Sequence, residues 1–112
     1  MTRTTQPGRI EVAEPDEALA ALYHLVLLDD DDHTYAYVIE MLRKIFGYAR
    51  EKAFALASIV DREGQVVLET AGYGQVTKHQ GQIHGYGADP RIPHCKGSMS
   101  AIVEEASSPT QS

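Results

Sequence analysis

The sequence predicts an α+β fold, in which a small antiparallel sheet packs against helices in the order β-α-α-β-(α)-β. The first observation is a short apolar, partly β-branched run from Tyr23 to Leu28, which is typical of a buried strand. The second is a pair of helix-like segments after it, at residues 34–46 and 50–60. The third is a pair of later strand-like runs, Gln65 to Thr70 and Met99 to Glu104. No internal repeat interrupts this order.

The first predicted helix runs from Thr34 to Phe46 and has one apolar face. Its apolar side chains recur at helical spacing, at Val38, Leu42 and Ile45. Residues 31–33 (Asp-Asp-His) stand where an N-cap and first turn belong, and carboxylates are favoured there by the free backbone N–H groups. Gly47 is expected to end this helix.

The segments that follow are predicted from turn signals as well as from periodicity. A second helix is predicted from Arg50 to Val60, and residues 61–64 (Asp-Arg-Glu-Gly) are predicted to form a turn before the next strand. A third helix is only weakly indicated between residues 74 and 87, because each glycine in that region costs roughly 1 kcal/mol relative to alanine. Residues 87–98 (GADPRIPHCKGS) are expected to form a loop.

The composition is that of one acidic domain. The 112 residues are 43% hydrophobic and carry a net charge of −6, so a packed core is expected. The negative charge argues against binding to nucleic acid or to an anionic membrane, and neither a membrane-spanning apolar run nor a signal segment is visible. We expect a cytoplasmic monomer with a folded domain at residues 21–106 and flexible tails at residues 1–20 and 107–112.

Four consecutive carboxylates, in the run LVLLDDDDHT at residues 25–34, directly follow the apolar strand. One interpretation is a solvated helix start whose carboxylates complement the helix dipole, although four in a row exceed that need. A calcium loop fits poorly, because Thr34 replaces the glycine required at its sixth position and histidine is a poor ligand for a hard cation. A third interpretation is a site that holds an ammonium group by charge-assisted hydrogen bonds. The residues alone leave the first and third interpretations open.

The histidines and the single cysteine form no recognisable catalytic or metal-binding motif. The five histidines lack an HxH or HxxxH pair, and one cysteine excludes both an internal disulfide and a cysteine-based zinc cluster. Catalysis by Cys95 would require a helix N-terminus or a basic neighbour in the fold, and the sequence offers only Lys96 beside it. No enzyme activity, metal site or cofactor is therefore predicted.

The segment from Tyr23 to Tyr48, YHLVLLDDDDHTYAYVIEMLRKIFGY, resembles the ClpS family of N-degron adaptors. Members of that family have a strand, then Asn-Asp-Asp, then Thr-Pro-Met, and then an amphipathic helix. The resemblance continues through REKAFALASIVDREGQVVLET to residue 70, whereas the third helix and the loop after it depart from the family pattern. It implies an adaptor that holds a substrate by its N-terminal residue and delivers it to an unfoldase of the ClpA or ClpC type, for degradation by ClpP.

The resemblance also implies a set of binding residues. Those expected to bind the α-ammonium group of a substrate are Asp29, Asp30 and Asp61. Those expected to line the pocket for the first side chain are His33, Tyr35, Val38, Ala57, Val60 and Met99.

Departures from the family pattern change both parts of this site. Asp29 replaces the family's Asn and Asp61 replaces its His, which strengthens the attraction for a cation and crowds like charges together. Tyr35 replaces a gating Met that disfavours side chains branched at Cβ, so we expect N-terminal Leu, Ile and Val to bind, with Phe tolerated. The alternative is a ClpS-fold interaction domain that no longer reads N-degrons, and a small metal-dependent enzyme is disfavoured because no ligand set is complete.

Overall fold

The computed structural model describes residues 22–106, and its centre is a three-stranded antiparallel sheet. Strand β1 (Leu22–Leu28) lies in the middle, between β2 (Gln65–Gly72) and β3 (Ser100–Glu105). The helices that complete the order β-α-α-β-α-β are α1 (Tyr35–Phe46), α2 (Arg50–Glu63) and α3 (Tyr73–His84). The predicted fold class is confirmed, and the tails predicted at residues 1–20 and 107–112 lie outside the described residues.

The central strand β1 supplies the middle of the core, because it has a neighbouring strand on each edge. Leu25 and Leu27 are fully buried and belong to the cluster against which the helices pack. Burial of each such side chain contributes about 1.5–3 kcal/mol. Beyond the last strand pair, the N–H of Asp29 donates to the carbonyl of Gly64 at 3.0 Å. The acidic run therefore begins where the sheet ends.

Helix α1 begins one residue later than expected, and its cap differs from the prediction. Thr34 is the N-cap, and its hydroxyl accepts a hydrogen bond from the N–H of Tyr37 at 3.1 Å. The first turn contains no acidic residue, so the prediction of a cap at residues 31–33 is wrong. Instead, the carboxylate of Asp30 accepts from the N–H of Asp32 at 2.9 Å, and this local turn places the acidic run in front of the helix.

Two glycines set the ends of α1 and α2. Gly47 ends α1, as predicted, and Gly64 ends α2; both have a left-handed backbone, with φ of 73° and 89°. The turn predicted at residues 61–64 is therefore wrong. The N–H of Gly64 donates to the carbonyl of Val60 at 2.9 Å, so the helical hydrogen bonds continue past residue 60. Asp61 consequently projects from the last turn of a helix and has a defined direction.

Helix α3 forms despite its glycines. Val76 and Ile83 are fully buried on its inner face. The side chain of Gln80 donates to the carbonyl of Ala101 on β3 at 2.9 Å, and the ring of His84 accepts from the N–H of the same residue at 3.0 Å. These tertiary contacts outweigh the low helix propensity of the segment. None of the helices within residues 22–106 is long and apolar enough to cross a membrane.

Candidate functional site

The nine residues predicted to bind a ligand line a single cavity of about 210 Å³. The cavity lies between the end of β1, the start of α1 and the second half of α2, and Met99 closes it from the residue before β3. Asp31 and Thr34 also line it, although neither was among the predicted residues. The fold thus brings together residues that are far apart in the chain.

The mouth of this cavity is a cluster of carboxylates. Asp29, Asp30, Asp31 and Asp61 border it, and all four are exposed to solvent. Partial burial raises the pKa of Asp29 above its ordinary value, the N–H of Asp30 opposes that change, and the carboxylates of Asp61, Asp30 and Asp31 raise the pKa further. Like charges in the mouth therefore repel one another, and a cation placed there would relieve the repulsion.

The ring of His33 holds Asp30 in this mouth. The His33 side chain is 2% exposed; its Nδ1 lies 2.7 Å from Oδ1 of Asp30, and its Nε2 lies 2.7 Å from the carbonyl oxygen of Gly97. Both contacts are hydrogen bonds when both ring nitrogens carry a proton, because each nitrogen faces an acceptor. Within residues 22–106, Oδ2 of Asp30 has no hydrogen-bond partner. His33 thus lines the cavity, but its hydrogen bonds support the mouth and leave one carboxylate oxygen for a ligand.

Tyr35 spans the mouth from α1 to α2. Its hydroxyl donates to Oδ2 of Asp61 at 3.1 Å, and its ring centre lies 5.8 Å from that of Phe54. Tyr35 is 39% exposed and Phe54 is 53% exposed, so both contacts are at the surface. A ligand that binds Asp61 would share this carboxylate with the Tyr35 hydroxyl, and the Tyr35 side chain also lines the cavity.

The floor of the cavity is aliphatic. Val38, Ala57, Val60 and Met99 are each at most 5% exposed and belong to the core cluster. Pockets for drug-sized ligands usually measure about 300–1,000 Å³, so a cavity of about 210 Å³ suits one side chain and the atoms next to it. The site therefore combines an anionic mouth with a small apolar interior.

Asp89 is a buried carboxylate beside the site that no sequence motif singled out. It is 1% exposed. Its Oδ2 accepts from the N–H and the hydroxyl of Thr34 at 2.8 and 2.9 Å, and its Oδ1 accepts from the N–H and the guanidinium of Arg91 at 3.0 and 3.1 Å. Burial acts to raise its pKa, but these four hydrogen bonds outweigh burial and lower the pKa to about 2. Asp89 thereby ties the loop of residues 87–98 to the N-cap of α1.

Cys95 lies in the same loop and does have a basic neighbour. Its Sγ is 3.4 Å from Nε2 of His33 and 3.3 Å from the carbonyl oxygen of Gly97, and it accepts from the N–H of Asp89 at 3.3 Å. These are contacts of a packed loop residue, since Nε2 of His33 lies nearer to Gly97 than to the thiol. Residues 22–106 contain no group of three or more His, Cys, Asp or Glu side chains placed to bind a metal ion.

Comparison with known proteins places this geometry in a family. Residues 19–92 match the family described as ATP-dependent Clp protease adaptor protein ClpS. The chain belongs to the ClpS family. The ClpS adapter protein of Nautilia profundicola is 33% identical over 72 residues, which are 64% of this chain and 69% of that protein. The ClpS adapter protein of Streptomyces coelicolor is 28% identical over 76 residues, which are 68% of this chain and 75% of that protein.

A much longer protein and a solved structure are also similar to this ClpS-family chain. The E3 ubiquitin-protein ligase ubr-1 of Caenorhabditis elegans is 33% identical over 78 residues, which are 69% of this chain but only 4% of the ligase. The structure of Agrobacterium tumefaciens ClpS2 bound to L-phenylalaninamide aligns with a TM-score of 0.66 and covers 77% of this chain and 98% of that one, at 17% identity. This likeness shows the fold. ClpS is an adaptor family and not an enzyme family, in keeping with the lack of a catalytic motif in the sequence.

Proposed function

We propose that this chain is an adaptor that binds the free N-terminal residue of protein substrates and delivers them to a AAA+ Clp unfoldase of the ClpA or ClpC type, acting with ClpP. The observation that carries the proposal is a single cavity with an anionic mouth and an aliphatic floor. An N-terminal residue has the complementary form, because its cationic α-amino group and its side chain leave the same carbon atom. The L-phenylalaninamide bound to A. tumefaciens ClpS2 has the same two groups.

In the proposed complex, the α-ammonium group lies among the carboxylates of the mouth. It has three N–H donors, and the acceptors offered to it are Asp29, Asp61 and Oδ2 of Asp30. Hydrogen bonds to charged groups contribute about 1.5–3 kcal/mol each. The ammonium also relieves the repulsion that raises the pKa of Asp29, so binding favours the ionised form of that carboxyl group.

The first side chain of the substrate lies on the aliphatic floor formed by Val38, Ala57, Val60 and Met99. Each Å² of apolar surface removed from water contributes about 25 cal/mol. Leu, Ile and Val gain this free energy of burial without needing a polar partner, and Phe is tolerated. Tyr and Trp bind more weakly, because a buried hydroxyl or indole N–H needs a hydrogen bond. Acidic first residues are rejected by the carboxylates at the mouth. Tyr35→Met should shift the preference toward Leu and Phe and against Ile and Val.

Isothermal titration calorimetry with peptides that differ only in their first residue tests this proposal. We expect an acetylated peptide to bind at least about tenfold more weakly than the free peptide, and Asp30→Asn to have a similar effect. Asp32→Asn is the matched control, because Asp32 adjoins the mouth but does not line the cavity, and it should leave the affinity unchanged. Affinity should also fall above about pH 8, where an α-amino group loses its proton.

Equal binding of the acetylated and free peptides would contradict the ammonium site. If no peptide with a free N-terminus binds at all, a ClpS-fold interaction domain that has lost N-degron reading becomes the better description. Delivery is measured separately, as the rate at which ClpA or ClpC with ClpP degrades a substrate that begins with Leu. Deleting residues 1–20 should slow that delivery and leave peptide affinity unchanged, because none of the predicted site residues lies in that segment.

A further inference from the structure

A second cavity of about 650 Å³ lies on the opposite face of α1 from the proposed ligand site. Ala36, Glu40 and Arg43 lie three and four residues apart and share one face of the helix, whereas Val38 points the other way into the core. The cavity extends across the turn between α1 and α2, as far as Tyr48 and residues of the α2 start. We call it the basic groove, for the charges described next.

Basic side chains surround this groove. They are Arg43, Lys44, Arg50 and Arg91. Glu40 is the one acidic residue that residues 22–106 contribute to its lining, and two of the cations share it: Lys44 at 3.5 Å and Arg91 at 3.3 Å. Arg43 and Arg50 form no salt bridge to a carboxylate within residues 22–106. The groove thus holds excess positive charge on a chain whose net charge is −6.

The floor of the basic groove is apolar, which distinguishes it from a site for a small anion. Ile39 and the ring of Tyr48 form part of it. Nζ of Lys52 lies 3.9 Å from the centre of the Tyr48 ring and continues the basic edge beyond the groove. A rim of cations around an apolar floor fits a peptide segment in which acidic and apolar residues are mixed.

We propose that the basic groove is the docking site of the chain's own acidic segment, residues 10–16 (IEVAEPD), which precedes β1. The segment contains three carboxylates and no basic residue: Glu11, Glu14 and Asp16. Ile10 and Val12 supply apolar side chains for the floor. Both the charge and the mixed composition of the segment are therefore complementary to the groove.

The connection between this segment and β1 is long enough for such docking. The hydroxyl of Tyr48, at the groove, donates to the carbonyl of Leu68 on β2 at 2.7 Å, and Leu22 pairs with Gly72 at the end of the same strand. The four residues from Leu68 to Gly72 therefore place the start of β1 about 13 Å along the strand from the groove. Residues 17–21 span up to about 16 Å when extended, which covers that distance. Because the link is covalent and short, even weak contacts are populated. The docked segment lies on the opposite face of α1 from the ligand cavity and leaves that cavity open.

Paramagnetic relaxation in the full chain tests the proposal. A nitroxide is attached at residue 13 through Ala13→Cys in a Cys95→Ser background, and amide signals are compared with the reduced label. At low salt we expect at least a twofold loss of intensity at Gly47, Tyr48 and Arg50. The loss should disappear in 1 M NaCl, where the Debye length is about 3 Å. It should also disappear in Arg43→Gln/Arg50→Gln but persist in Arg62→Gln/Lys78→Gln, a control pair of exposed cations outside the groove.

Full signal intensity at the groove amides in low salt would overturn the proposal. The groove would then be assigned to an acidic segment of another protein. Intensity loss that persists in Arg43→Gln/Arg50→Gln would overturn it as well. Equal loss in a mixture of spin-labelled chain and separate isotope-labelled chain would assign the docked segment to a second copy. None of these outcomes changes the expected binding of an N-terminal residue, so the two proposals can fail independently.

Discussion

Two carboxylates at the same site, Asp89 and Asp29, are held in opposite ways. Asp89 is buried, accepts four hydrogen bonds and has its pKa lowered to about 2. Asp29 is exposed and has its pKa raised, first by partial burial and then by the three carboxylates that face it. A charge that the protein satisfies completely stabilises the fold, whereas a charge left among like charges favours the binding of a cation. Asp89 is therefore an anchor for the loop, and Asp29 belongs to the mouth of the proposed binding cavity.

The largest expected effect is the loss of the anchor. Asp89→Ala leaves the N–H and the hydroxyl of Thr34 without their buried acceptor, and the loss of hydrogen bonds to a charged group costs roughly 2–3 kcal/mol. Urea denaturation should show this loss, while Asp32→Ala changes the free energy of unfolding by less than about 0.5 kcal/mol. A loss below about 1 kcal/mol for Asp89→Ala would remove the contrast between the two carboxylates.

At acid pH, Asp89 should no longer contribute to the free energy of unfolding. The pKa of Asp89 falls from 3.8 to about 2 on folding, so its stabilisation is complete above about pH 4 and is lost as the pH falls through about 2. The pKa difference corresponds to about 2 kcal/mol. Comparing wild type with Asp89→Asn across this range isolates the effect from that of other carboxylates. A difference in unfolding free energy that stays constant from pH 5 to pH 2 would contradict the assignment.

A mouth carboxylate should affect binding and leave stability nearly unchanged. Asp61→Asn keeps an acceptor for the Tyr35 hydroxyl but removes one negative charge from the mouth. We expect about a tenfold loss of affinity for a peptide with N-terminal Leu, which is about 1.4 kcal/mol. The free energy of unfolding should change by less than about 0.5 kcal/mol. Equal losses of affinity and stability would mean that Asp61 is also a structural anchor.

The smallest expected effect comes from removing the charge of Asp29, which relieves the repulsion among the carboxylates of the mouth. Because its pKa is raised, ionised Asp29 is disfavoured in the folded state. Asp29→Asn should therefore raise the free energy of unfolding slightly at pH 7, by up to about 0.5 kcal/mol, while it weakens peptide binding. The gain should shrink as the pH falls and Asp29 of the wild type becomes protonated. A destabilised Asp29→Asn variant would show that the mouth is not strained when empty.

The first half of the fold could be predicted because its signals are local. The apolar run of β1 and the helical period of α1 both lie within residues 22–46 and need no distant partner. The error at the end of α2 was avoidable, since Gly64 is a typical helix-terminating residue and adequately marks the boundary. The start of α1 could not be predicted in the same way, because several residues before Tyr35 can serve as an N-cap. The turn made by the Asp30 carboxylate and the hydrogen bonds from Thr34 to Asp89 select Thr34.

The anchor could not have been predicted from the sequence. Asp89 lies 55 residues from Thr34, in a segment without periodicity, and its role depends on the path of the loop. Helix α3 was only weakly indicated for a related reason, since its stability comes from contacts with β3 that no local pattern records. The resemblance to ClpS supplied the nine site residues, and the fold brings them to one cavity; their roles in binding remain predictions.

The loop of residues 87–98 is hydrogen-bonded near both of its ends to the start of α1 and the residues just before it. The contacts are Tyr37 with Gly87, Thr34 with Asp89, and His33 with Gly97. The loop therefore cannot detach while the first turn of α1 stays folded, and the two should open as one cooperative unit. A protease that cuts this loop would then report the local unfolding of the ligand site. A bound N-terminal peptide should slow the cleavage in proportion to its occupancy, although the loop lies outside the cavity.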